Sequence, residues 1–371
     1  MVKVSTKQLK EAVNQSLSSN SFPNVLLKTS DNTLKVCSID SDSYLVMSVD
    51  IEQKDSKLIS LVDRKQLSNI LKTIKTDHID LTMEDENLII NTDKAVYRLQ
   101  SKDPNLFNPY SLDTDINDGI TLNSKTLIDA IDKVMYAVSK DRYSYSYYDN
   151  LKTVGFIFEA GTFYVSGTDG NRLAMCDLKL PNNLNNRFGI PKTAAMHLKK
   201  ILKKDVLFNV IESEYQKIAV FKSDNFVFTT IINDNLPDII GAINGYREYL
   251  AVEVKLTKDA MIDILQSFVI DKKETYTVRL TLTNNNLNLL SLVNNSSANI
   301  SVNYTGDKYT IDFNALYLLE ALENICSNDV VIKLPSSNDY PAYIESVDNC
   351  GCLALVMPLG KTWFKSLQIL K

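Results

Sequence analysis

The chain has 371 residues, of which 44% are hydrophobic and 23% charged, with a formal net charge of −5. That length predicts two to four domains at roughly 100 to 200 residues each, and the composition is that of a globular chain, which excludes a disordered one. No segment reaches the about 20 apolar residues of a membrane helix, and an acidic balance excludes adhesion to nucleic acid through bulk charge.

Behind Met1 there is no apolar leader, so the expected address is the cytoplasm, with no membrane association. The first periodic segment is Val4, Thr6-Lys7, Leu9, Ala12 and Val13, an amphipathic helix behind a Ser or Thr cap. A second kind of helix follows at Val62-Asp63 with Leu67, Ile70 and Leu71, and then an alternating strand from Ile79 to Met83 closed by the turn Glu84-Asp85-Glu86-Asn87. The first pattern returns from Leu122 with Ser124-Lys125, Leu127, Ala130 and Ile131, and the second at Ile190-Pro191 with Met196 and Leu198. A strand from Ile218 to Phe221 comes next. The third round runs from Leu256 with Thr257-Lys258, Met261, Ile264 and Leu265, through the strand Thr277 to Leu282 and the turn Asn284-Asn285-Asn286, to Ile311-Asp312 with Leu316, Leu319 and Leu322.

Two interleaved patterns, each met three times in one order, predict three tandem copies of one α+β domain, two helices packed on antiparallel strands in each. The boundaries fall at about 1–118, 119–246 and 247–371. The stretch from Asp113 to Gly119 has the acidity of a calcium loop. Asp118 stands where such a loop needs glycine and Ser124 where it needs a bidentate Glu, so it reads as a polar linker.

Catalytic chemistry finds no footing. The only histidines are His78 and His197, neither beside a nucleophile signature, and 11 glycines build no phosphate-binding loop. An enzyme, a cofactor and a metal are therefore not expected. Five cysteines leave one over in any full pairing, which fits reduced thiols, and Cys350 and Cys352 read as buried strand residues rather than metal ligands.

The helix from Lys192 to Lys204 sorts into two faces. Ala194, Ala195, Leu198, Ile201 and Leu202 form the apolar one. Lys192, Thr193, Met196, His197, Lys199, Lys200, Lys203 and Lys204 form an arc without an acidic residue, which in an acidic chain points to an anionic partner. A weaker echo lies in Arg64, Lys65, Lys72 and Lys75 and in Lys7 and Lys10, whereas the equivalent third-repeat helix carries Glu320 and Glu323.

At Thr168-Asp169-Gly170-Asn171-Arg172-Leu173-Ala174 the chain resembles the bacterial sliding clamp family, the beta subunit of the replicative DNA polymerase, whose signature is T-D-G-H-R-L-A. Leu236-Pro237-Asp238 and Val356-Met357-Pro358-Leu359 are similar to two further motifs of that family, in its order and spacing. Asn171 departs from the usual His, Ala242 stands where a larger apolar residue is frequent, and an extension at 360–371 carries Trp363, Phe364 and Leu367.

The resemblance implies a non-catalytic processivity factor that encircles double-stranded DNA without sequence specificity and tethers the replicative polymerase, the clamp loader and repair polymerases through short hydrophobic peptides. It implies a peptide pocket of Leu151, Thr168, Gly170, Asn171, Arg172, Leu173, Pro237, Ala242, Leu355, Val356 and Met357. It implies a six-domain ring made by a head-to-tail homodimer, with Tyr97 and Leu99 facing Val269 and Ile270 of the other copy. Lys10, Lys72, Lys192, Lys199, Lys200, Lys203 and Lys204 would then face the DNA. The competing reading is a non-catalytic three-repeat scaffold that binds proteins without encircling DNA.

Overall fold

The computed structural model describes residues 1–109, 114–139, 151–180, 184–212, 216–271, 275–348 and 350–359. The extension at 360–371 and Asp113 of the linker lie outside the described residues.

The same element order occurs three times. The first repeat is β1 (Val2–Ser5), α1 (Thr6–Gln15), β2 (Asn24–Ser30), β3 (Thr33–Ile39), β4 (Ser43–Lys54), β5 (Ile59–Asp63), α2 (Arg64–Thr73), β6 (His78–Glu84), β7 (Asn87–Asn91) and β8 (Val96–Gln100). The second is β9 (Ile120–Leu122), α3 (Ser124–Met135), β10 (Thr153–Glu159), β11 (Thr162–Thr168), β12 (Arg172–Leu178), β13 (Asn186–Pro191), α4 (Lys192–Ile201), β14 (Val206–Glu212), β15 (Lys217–Ser223) and β16 (Phe226–Ile231). An extra helix, α5 (Ile239–Tyr246), precedes the third: β17 (Leu250–Thr257), α6 (Lys258–Phe268), β18 (Thr277–Thr283), β19 (Asn286–Ser291), β20 (Ser297–Ser301), β21 (Tyr309–Asn314), α7 (Ala315–Asn324), β22 (Asp329–Pro335), β23 (Ala342–Ser346) and β24 (Cys352–Val356).

The helices start where their stripes start, but not all with the expected cap. Ser5 and Asp63 accept from the amides of Gln8 and Gln66, as N-cap side chains do. In α3 the cap is Asn123, which accepts from Thr126 N at 3.0 Å, and Ser124 is already inside the helix. Thr257 before α6 makes no capping bond. The hairpins turn at residues with positive φ, such as Asp85 (51°) and Ala160 (50°), which suit two-residue turns that match strand twist.

The chain divides into two compact units, Met1–Ile128 with Thr193–Ile232, and Asp129–Lys192 with the chain from Asn233 onward. These cut through the second repeat because sheets run across repeat boundaries. In unit one, β16 pairs antiparallel with β4, so that β9, β14, β15 and β16 extend the sheet of the first repeat. In unit two, β12 pairs antiparallel with β24 and joins β10 to β13 with the strands of the third repeat. A second sheet of unit two has the order β20-β19-β18-β21.

Between that sheet and the eight-stranded one, α6 and α7 bury Met261, Leu265, Leu318 and Leu322 against Val278, Leu280, Ile332 and Ile344. The stripes spaced three and four residues apart are thus core faces, as amphipathic helices on a sheet require.

The expectation of reduced thiols fails at one pair: Cys326 and Cys350 are joined, with Cα atoms 6.4 Å apart. Sequence spacing could not show this, because the segment after α7 meets the turn before β24 only through the tertiary fold. Cys350, expected as a buried strand residue, lies before the strand and is not buried, and Cys352, the first residue of β24, is half-buried.

Candidate functional site

Three segments distant in sequence meet in one buried apolar cluster of unit two. β11 and β12 are joined by Asp169-Gly170-Asn171, where Gly170 takes φ 86° and Asp169 Oδ1 accepts from the amides of Asn171 and Arg172. Thr168 Oγ1 accepts from Gly170 N and donates to Arg172 O at 2.7 Å. Only Gly170 has positive φ, so this is a three-residue loop and not the two-residue Asp-Gly turn that the dipeptide suggests. Met357 N donates to Asn171 O at 2.8 Å, which brings the third motif against the loop.

Strand alternation then sends Leu173, Leu355 and Met357 to one side. Leu173 and Leu355 are directly opposite each other in the β12–β24 ladder. α5 adds Ile239, Ala242, Ile243 and Tyr246, a stripe at i, i+3, i+4 and i+7 that the sequence displays but that, Ala242 apart, no motif assigns to the site. Asp238 caps this helix by accepting from Gly241 N, and Pro237 precedes it. Leu236 packs over Gly155, where any Cβ would come 2.9 Å from its Cδ2 atom. Tyr343 closes the floor, its hydroxyl donating to Ile243 O at 2.6 Å, and burial pushes its phenol pKa up.

The floor is closed in this state: Leu173, Ala242, Leu355 and Met357 are each at most 3% exposed. What the surface offers is a half-buried rim of Tyr164, Met175, Ile240, Tyr249, Tyr340 and Leu353. Tyr249 and Tyr340 stack with ring centroids 3.8 Å apart. At the edge, Glu345 accepts from Arg247 and Lys333; burial opposes its charge, but these two cations hold its carboxyl below the ordinary range.

Two expected site residues point elsewhere. Val356 belongs to the core under α6 and α7. Arg172 lies on the face of β12 opposite Leu173, ion-paired through Nε to Asp169 at 3.0 Å and through Nη1 to Glu320 of α7. Its guanidinium lies 4.4 Å from the Tyr317 ring centroid and 5.3 Å from that of Tyr136. Arg172 therefore braces the loop from behind and meets the cluster only through its backbone. Leu151 is buried, with its carbonyl accepting from Ser139 N.

The expected helix is shorter than its pattern suggests, since α4 ends at Ile201 and Lys203 and Lys204 lie beyond it, and the basic arc is less bare than its sequence suggests. Lys203 pairs with Glu11 of α1, Lys204 with Asp224 at 3.4 Å, and Lys200 Nζ donates to Asn14 O at the end of α1. Lys199 is half-buried, while Lys200, Lys203 and Lys204 are exposed. Burial, with Arg64 of α2 close by, lowers the pKa of Lys200. Lys72 is exposed in the last turn of α2 and Lys10 is half-buried on α1. Lys192, in unit two, donates to Val138 O at 3.1 Å.

β8 and β20 are open edges among the described residues: β8 is bonded only to β7, and β20 only to β19. Val96 on β8 is 53% exposed and Ile270 beyond α6 is 79% exposed, with Tyr97 and Val269 half-buried. Leu99 is 3% exposed in the single chain and serves its own core.

Residues 3–111, 121–238 and 247–360 match in turn the N-terminal, central and C-terminal domain models of the DNA polymerase III beta subunit. Fold and matches together define a three-domain protein of the clamp class. The chain belongs to the DNA polymerase III beta subunit family. It is 25% identical over 354 residues to the beta sliding clamp of Pseudomonas aeruginosa, covering 91% of each chain. It is 27% identical over 245 residues to that of Chlamydia muridarum, an alignment spanning 64% of each protein.

In structure it is similar to the Pseudomonas aeruginosa DNA polymerase III subunit beta, with TM-score 0.85 at 21% identity over 97% of this chain and 100% of that one. The Helicobacter pylori beta clamp bound to a DNA ligase peptide gives TM-score 0.78 at 22% identity, over 96% and 99%.

Among the described residues no helix is long and apolar enough to cross a membrane.

Proposed function

We propose that this chain is a sliding clamp: two copies close head to tail into a six-domain ring around duplex DNA, hold it without sequence specificity, and tether polymerases, the clamp loader and repair proteins. It performs no chemistry of its own and works in the cytoplasm. The proposed domains are 1–118, 119–246 and 247–371, each opened by the strand that precedes its first helix.

The observation that carries this reading is a pairing rule within the repeats. β4, β12 and β20 occupy the same place in successive repeats, and so do β8, β16 and β24. β16 pairs with β4, and β24 with β12. The rule leaves one strand of each kind, β8 and β20, with an unfilled side. An open edge is a template for another chain, and pairing β8 of one copy with β20 of the next continues the rule until the assembly closes. Val96 and Tyr97 would meet the segment at Val269 and Ile270 across that joint.

Topology then holds the DNA, so phosphate contacts need only be weak, and lysines that meet phosphates carry no base information. Lys10, Lys72, Lys192, Lys199, Lys200, Lys203 and Lys204 are the proposed contacts. Peptides dock at the rim of the apolar cluster and open its floor. Burying one Leu and one Phe there contributes about 1.5 to 3 kcal/mol each, which suits reversible exchange of partners. A flexible thioether at Met357 suits a surface that accepts several sequences.

The test is retention. Loaded onto nicked circular DNA and passed through a sizing column, the protein should elute with the DNA, and cutting the circle should release it. Equal retention on linear and circular DNA, or none on either, would favour the protein-binding scaffold.

A further inference from the structure

Four of the five cysteines meet at one place on unit two. Cys176 of β12 and Cys352 of β24 are directly opposite each other in the ladder, with Sγ atoms 2.7 Å apart. Cys326 and Cys350 form the disulfide, and the sulfurs of Cys326, Cys350 and Cys352 all lie within 4.8 Å of one another. Cys326 is exposed, Cys352 half-buried, and Cys176 buried. The site thus holds a disulfide with one sulfur at the surface, a thiol within reach of it, and a second thiol behind the first.

The two thiols are unlike. A hydrogen bond from Cys176 favours the Cys352 thiolate, burial opposes it, and the Lys133 ammonium favours it again, so its pKa falls below the ordinary thiol value. The same hydrogen bond, with burial, pushes Cys176 up. The thiolate is the nucleophile of thiol–disulfide exchange, so the thiol that ionises is the one nearest the disulfide.

We propose that these four cysteines form a thiol–disulfide relay, in which Cys352 attacks the Cys326–Cys350 disulfide, Cys176 resolves the product, and the bridge moves from the surface to the β12–β24 pair. In the first step Cys352 Sγ bonds to Cys326 Sγ and Cys350 leaves as a thiolate. Cys350 takes up a proton as Cys176 loses one; Cys176 Sγ then bonds to Cys352 Sγ and Cys326 leaves as the thiolate. One disulfide and one thiolate are present before and after, so no outside electrons are needed. A small-molecule disulfide can recharge the surface pair, which is oxidised as that molecule is reduced to two thiols. Disulfides in reducing compartments are mostly transient and sensing, which is the use a movable bridge serves.

The consequence is covalent. A Cys176–Cys352 bridge fastens β12 to β24, the strands that also carry Leu173 and Leu355.

The full-length protein, first fully reduced with dithiothreitol and freed of it, is to be treated with glutathione disulfide, quenched over time with N-ethylmaleimide, and its disulfides mapped by peptide mass spectrometry. The Cys326–Cys350 bridge should form first and the Cys176–Cys352 bridge later. In Cys176→Ser the Cys326–Cys352 intermediate should accumulate. In Cys326→Ser, a change at the surface that leaves the core untouched, the inner bridge should form at least tenfold more slowly. Formation of the inner bridge at an undiminished rate in Cys326→Ser, or its absence in the native protein, would overturn the relay. So would one equivalent of zinc that copurifies with the reduced protein and is lost in Cys326→Ser, because sulfur donors at this spacing would then be a metal site.

Discussion

Arg172 and Glu320, 148 residues apart, form an ion pair that ties β12 to α7, with side chains 5% and 12% exposed. Removing one partner of a buried pair leaves the other charge unmatched, at a cost of about 3 to 5 kcal/mol. Asp169 still faces Arg172, which puts Glu320→Ala at the lower end, about 3 kcal/mol, read as a lowered urea midpoint. Arg172→Met with Glu320→Leu and Asp169→Asn should recover most of that loss, because neither carboxylate is then left facing an absent cation and the Asn side-chain oxygen can still accept from the amides of Asn171 and Arg172.

The apolar cluster predicts a split between affinity and stability. Met357→Ala removes a buried side chain and should cost about 2 to 5 kcal/mol of stability as well as peptide binding. Tyr340→Ala, on the half-buried rim and stacked on Tyr249, should weaken binding of a fluorescent Leu-Phe peptide about tenfold with a much smaller loss of stability. Anisotropy titrations beside urea melts of both variants check this, and unchanged affinity in Tyr340→Ala would place the docking surface elsewhere.

His197 faces Asp40 at 3.6 Å and also feels the charge of Lys200. Burial first, and the Lys200 charge, lower its pKa below 6.5, against the pull of Asp40. Below that value the unfolded chain binds the proton and the folded chain resists it, so stability is lost as pH falls through about 6.5 toward the lower folded value. Asp40, raised by burial, acts in the opposite sense at more acidic pH, where the folded state holds its proton more tightly. His197→Gln should flatten the change in urea midpoint between pH 7.5 and 5.5; an equal slope in the variant would show that other groups set it.

The open edges give a prediction about assembly. Val96→Asp with Ile270→Asp places charges on two exposed apolar side chains and should leave the fold intact while converting the dimer to monomer in sedimentation velocity. A variant that remains dimeric would move the joint away from β8 and β20.

For the basic patch, Lys199→Gln, Lys200→Gln and Lys203→Gln together should lower the slope of log affinity against log salt by about one for each phosphate that is no longer neutralised. Glu11→Gln should strengthen DNA binding, because it releases Lys203.

Much of the architecture was written locally. The helix stripes, the alternating strands and their threefold recurrence depend on residues within a few positions of each other, and periodicity alone exposed them. The motif around Gly170 is legible only through its resemblance to a family signature; the positive φ that suits glycine there is seen in the structure. The sequence by itself thus determined three βα repeats, their order and the basic face of α4. The tertiary structure decided which strands pair across repeats, why Arg172 turns from Leu173 toward Glu320, how Glu11 and Asp224 temper the lysines, and that four scattered cysteines meet. Those are contacts between residues tens to hundreds of positions apart. They depend on how whole sheets stack and join, and no local pattern of residue types encodes that.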